Sequence, residues 1–62
     1  MIGKKQRAID RLHKAKQECI RRGYTRDQII KSVEWQTAKY VAYQQNWESL
    51  NGISEVLQKR FK

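Results

Sequence analysis

The sequence predicts a small all-α domain of three to four helices. Two observations carry this. There is no proline, and β-branched residues never alternate with polar ones as a half-buried strand requires. Apolar residues instead recur at three- and four-residue steps, the spacing of one helical face. At 62 residues the chain reads as one domain, 1–62, whose core must be supplemented by good local patterning.

The first helix is expected over residues 4–22. Ala8, Ile9, Leu12, Ala15, Cys19 and Ile20 form its apolar face. Arg21 and Arg22 suit the negative end of its macrodipole, and Gly23 suits the left-handed position that ends a helix. Asp10 with Lys14 and Glu18 with Arg22 have the spacing of i,i+4 ion pairs.

The second helix is expected over 25–34. Thr25 and Gln28 have the spacing of a capping box, and Tyr24 and Ile29 that of a hydrophobic staple. Asp27 adds negative charge to the first turn. From here two outcomes are open. One helix runs on to about Asn46, or a third helix over 36–46 begins after a turn at Glu34–Gln36. Asn46 is read as the stop. A last helix over 50–61, capped by Ser49 or Asn51, would bury Ile53, Val56, Leu57 and Phe61.

Charge ranks the partners. Fourteen Lys and Arg against six Asp and Glu give +8, which favours an anionic partner. Residues 1–22 carry Lys4, Lys5, Arg7, Arg11, Lys14, Lys16, Arg21 and Arg22 against Asp10 and Glu18, so most of the excess lies in the first helix. Such a run is either a solvated face or an electrostatic footprint for phosphates. No apolar run is long enough to span a bilayer and no signal peptide is visible at Met1, so neither a membrane nor secretion is expected. The single Cys19 reads as a small buried hydrophobe in a reducing, cytoplasmic setting, and His13 as a surface residue. No paired carboxylates, nucleophile–base pair or metal-ligand spacing is present, so no enzyme, metal or cofactor is expected.

Ile29, Val33, Trp35, Tyr40 and Tyr43 stand at the spacing of the five apolar places shared by two steeply crossing helices. With the preceding run Gly23-Tyr24-Thr25-Arg26-Asp27-Gln28-Ile29, residues 23–43 resemble the helix-turn-helix of recombinase-, transposase- and phage-regulator-type DNA-binding domains. The sequence departs from that pattern at Ile30, where a small residue is preferred, and at Glu34, where Gly is preferred. The resemblance implies a small regulatory or recombination-accessory DNA-binding protein, acting as a homodimer on double-stranded DNA. Gln36, Thr37, Lys39 and Gln44 would contact bases, and Lys4, Lys5, Arg7, Arg11, Lys14 and Arg26 would contact phosphates.

The alternative is a helical interaction module or inhibitor that binds an acidic protein through the first helix and exposed aromatics. Trp35, Tyr40, Tyr43 and Trp47 are expected to be core, with a stacking platform or a protein anchor as the other reading.

Overall fold

The computed structural model describes residues 3–62, which form four α-helices and no strand. Helix α1 spans Lys4–Arg21, α2 Arg26–Ile30, α3 Val33–Tyr43 and α4 Trp47–Arg60. The two outcomes left open by the sequence resolve in favour of separate second and third helices.

Helix α1 buries Ala8, Leu12, Ala15 and Cys19, while Ile20 is exposed and Ile9 half-buried. Its end is a Schellman turn. The Gly23 amide donates to the Ile20 carbonyl at 3.0 Å, and the Tyr24 amide reaches back to Cys19 at 3.3 Å. Gly23 holds φ 109°, a conformation that a side chain would disfavour.

Helix α2 begins with the expected capping box. Thr25 Oγ1 accepts from the Gln28 amide at 3.1 Å, and the Thr25 amide donates to Gln28 Oε1 at 2.8 Å. Thr25→Ala is therefore expected to destabilise the domain by about 1 kcal/mol. Thermal unfolding followed by circular dichroism should show a Tm lower by about 4–8 °C, with Thr25→Ser close to the parent protein.

The turn after α2 lies at Lys31–Ser32, not at Glu34–Gln36. Ser32 makes both sides of it. Its Oγ donates to the Ile29 carbonyl at 2.6 Å and accepts from the Trp35 amide at 3.2 Å. One hydroxyl thus satisfies a carbonyl at the end of α2 and an orphan amide at the start of α3. Glu34, Trp35 and Gln36 form the first turn of α3, where the Glu34 carboxylate suits the helix dipole.

The last helix starts three residues before the expected position. Helix α3 ends in a second Schellman turn, with Gln45 amide to Ala42 carbonyl at 3.0 Å and Asn46 amide to Val41 at 3.1 Å. Gln45 occupies the left-handed position at φ 59°. Asn46 then caps α4 through the Ser49 amide at 3.3 Å, so the residue read as a stop is a start. Within α4 the buried residues are Leu50, Ser54 and Leu57. Of the four expected core positions only Leu57 is fully inside; Ile53 and Phe61 are half-buried, and Val56 is exposed.

Helix α4 packs against both α1 and α3, and α2 bridges α1 and α3. The core is Ala8, Leu12, Ala15 and Cys19 from α1, Ile29 from α2, Ala38 from α3, and Leu50 and Leu57 from α4. The small residues of α1 let α4 approach closely. Arg22 and Tyr24 hold the end of α4 in place. Arg22 Nη1 donates to the carbonyls of Gln58 at 2.8 Å and Phe61 at 3.1 Å. Tyr24 Oη donates to the Lys62 carbonyl at 2.6 Å, and its ring meets Phe61 edge-on at 5.0 Å. The expected Glu18–Arg22 pair is therefore replaced: Glu18 faces Arg21 at 3.5 Å, and Arg22 serves carbonyls that α4 leaves free at its end. Asp10 accepts from Gln6 at 2.9 Å rather than pairing with Lys14.

Cys19 is completely buried, with its thiol 3.9 Å from the Leu57 carbonyl. Burial pushes the thiol pKa up, against the opposing pull of Arg22. The folded state thus holds its proton more tightly than the unfolded chain. This contribution to stability is intact below the ordinary thiol pKa and is lost as pH rises through the raised folded value. A thiol reagent should label the native protein only as fast as the chain opens, and denaturant should accelerate labelling to the rate of a free cysteine.

Candidate nucleic-acid interface

Among the described residues only Arg21 and Arg60 pair with a carboxylate, Arg60 with Glu34 at 3.7 Å across α3 and α4. The remaining cations are divided by the helical geometry of α1. Its apolar stripe faces the core, and the basic residues emerge on either flank.

One flank borders α4. Lys4, Arg7 and Arg11 line a groove there with Trp47, Glu48 and Asn51. The groove continues past Arg11 and Lys14 beside Ser54, Glu55 and Gln58. Four expected phosphate contacts therefore lie along one side of the molecule. Glu48 and Glu55 of α4 face the same space and offset part of their charge.

The other flank gives a groove of different character. Lys16 of α1, Arg26 of α2 and Lys39 of α3 line it with Ile30, Trp35 and Gln36. No carboxylate lines this groove. Lys16 Nζ lies 5.4 Å from the centre of the Trp35 ring, a cation–π contact that fixes one wall. Trp35 is half-buried and rests against the core.

The expected site residues thus fall into separate places. Arg26 leaves the phosphate set of α1 and joins Gln36 and Lys39 in the α1–α2–α3 groove. Lys5 is exposed and belongs to neither groove. Thr37 on α3 and Gln44 just past its end are exposed but lie outside this groove. Thr37 Oγ1 donates to the Val33 carbonyl at 2.8 Å, and Gln44 Nε2 donates to Tyr40 Oη at 3.0 Å. Lys16 was missed as a site residue. Its place on the opposite flank from Arg11 and Lys14 is legible on a helical wheel, but its groove exists only once α3 is docked.

The five apolar places of the helix-turn-helix pattern do not form one core. Ile29 is buried and Trp35 half-buried, but Val33 is 73% exposed, Tyr40 64% and Tyr43 84%. Starting α3 at Val33 turns Trp35, Ala38, Val41 and Ala42 inward. A helix period of 3.6 then places Val33, Tyr40 and Tyr43 outside. The expectation that Tyr40 and Tyr43 are core is therefore overturned, whereas Trp35 and Trp47 do pack on the core from its edge.

No group of three or more His, Cys, Asp or Glu side chains that could hold a metal occurs among the described residues. No helix among them is long and apolar enough to cross a membrane. No protein-family model, curated protein or solved structure matches the chain.

Proposed function

We propose that this chain is a small DNA-binding domain whose phosphate-binding centre is the α1–α2–α3 groove. The observation that carries the reading is the convergence of Lys16, Arg26 and Lys39, from three different helices, on a groove without a carboxylate. Bringing three ammonium and guanidinium groups together without an internal counter-ion is unfavourable by itself, and an external polyanion relieves it. Gln36 supplies the groove's amide, able to donate and accept toward a base edge. Lys4, Arg7, Arg11 and Lys14 add a second, weaker stretch of positive potential along α1. The resemblance of residues 23–43 to DNA-binding modules adds support at the Gly23 turn and the Thr25 cap, although Val33, Tyr40 and Tyr43 do not supply the motif's shared core.

The test is a fluorescence-polarisation titration against mixed-sequence DNA at low and moderate salt. Binding should weaken steeply as salt rises, because counter-ions are released from the DNA. Absence of binding at low salt, or binding that ignores salt, rejects the reading.

A second reading has one observation in its favour. Val33, Tyr40 and Tyr43 give α3 an exposed, partly apolar outer face, which suits a protein partner, and the basic residues of α1 would make that partner an acidic one. Capture of a protein from lysate that survives nuclease treatment would support it over DNA.

A further inference from the structure

The same helix suggests which form of DNA the groove accepts. We propose that the outer face of α3 and the adjoining groove bind single-stranded DNA, with Tyr43 stacking on an unpaired base while Lys16, Arg26 and Lys39 hold the backbone. This rests on the DNA-binding reading above.

Gln36, Lys39 and Tyr43 stand at i, i+3 and i+7 on the unbroken helix Val33–Tyr43, so they form one line along its surface. Gln36 and Lys39 line the basic groove. Tyr43 continues that line one turn further, a rise of about 6 Å beyond Lys39. Tyr43 is 84% exposed, so it contributes little to the core and its side chain is open to a ligand. Tyr40 stands beside it, 64% exposed, with its hydroxyl accepting from Gln44.

The charge of this surface fits the same occupant. Glu34 is the only acid in α3; it lies toward α4, paired with Arg60 at 3.7 Å. The face carrying Lys39 and Tyr43 therefore has no carboxylate from its own helix to repel a phosphate. A paired base hides its faces within the duplex stack, so an exposed ring next to phosphate-binding cations matches a strand whose bases are free.

The experiment compares a labelled oligothymidylate with a hairpin duplex of mixed sequence, at equal salt, by fluorescence polarisation. The single strand is expected to bind more tightly. Tyr43→Ala should weaken its binding by about tenfold or more, and Tyr43→Phe should retain it, because stacking needs the ring and not the hydroxyl. The duplex affinity should be unchanged by Tyr43→Ala. Far-UV circular dichroism of each variant confirms the fold, which an exposed position leaves intact. If the duplex binds as tightly as the strand, or Tyr43→Ala leaves the strand's affinity unaltered, this inference is overturned while the DNA-binding reading stands. If an oligouridylate binds more tightly than the DNA strand, the choice of DNA is overturned. If nothing binds at low salt, the DNA-binding reading itself fails.

Discussion

Leu57→Ala is expected to remove about 2–5 kcal/mol of stability. A chain of this length has about 3–9 kcal/mol in total, so the loss is a large fraction of it and the unfolding midpoint should fall well below that of the parent protein. Leu57 is fully buried at the meeting of α4 with the α1 stripe. Its own carbonyl lies 3.9 Å from the Cys19 thiol, so a cavity there loosens the two helices that make most of the core. The neighbouring Val56 is 51% exposed, and Val56→Ala should cost less than about 1 kcal/mol. Urea unfolding followed by far-UV circular dichroism compares the pair directly. Similar losses for both would mean that α4 is rotated about its axis from the arrangement described above.

The second large effect concerns charge. Neutralising the α1–α2–α3 groove with Lys16→Gln, Arg26→Gln and Lys39→Gln is expected to flatten the salt dependence of DNA binding by about two to three units of slope, as the phosphate contacts are lost. The corresponding change on the other flank, Lys4→Gln, Arg7→Gln and Arg11→Gln, should act more weakly. Glu48 is already present in that groove, with Glu55 further along it, so fewer counter-ions are displaced from DNA per cation there. Both triple variants carry the same net charge. A larger effect from the second set would move the footprint to the α1–α4 groove, and equal effects would mean a diffuse electrostatic attraction without a defined centre. Replacing Lys16 also removes the cation over Trp35, and the change in tryptophan emission reports whether that wall of the groove has moved.

The two turns show why parts of the fold were legible and others were not. The turn at Gly23 and the start at Thr25 use residues whose partners lie within a few positions, Cys19 and Ile20 on one side and Gln28 on the other. Gly and Thr at those places are recognisable in the bare sequence. The turn at Ser32 was also local, and Ser32 followed by Glu34 is a usable helix-start signal. It was obscured because the apolar spacing from Ile29 to Tyr43 fits a different register. The stop at Gln45 carries no glycine to mark it, and Asn46 suits the end of one helix and the start of the next.

The candidate site was legible as residue types rather than as a place. Arg26, Gln36 and Lys39 are among the residues that the helix-turn-helix resemblance assigns to DNA, and they share a groove. Lys16 was not, because α1 alone offers it no partner. The four α1 cations Lys4, Arg7, Arg11 and Lys14 were legible as a charged face, but their acidic neighbours Glu48 and Glu55 arrive from a helix more than thirty residues away in sequence.

Helical character, the stripe of α1 and the Thr25 cap follow from hydrogen bonds and side-chain spacings within four or five residues, and these the sequence alone specifies. Which face of α3 turns inward, whether Tyr43 is core or surface, and which cations meet depend on where α4 docks. That docking is held by contacts remote in sequence, Arg22 to Gln58 and Phe61, Tyr24 to Lys62, and Glu34 to Arg60. Apolar burial has no direction of its own, and α3 is weakly sided, with apolar residues inside and out. Its orientation therefore had to come from the partner helix.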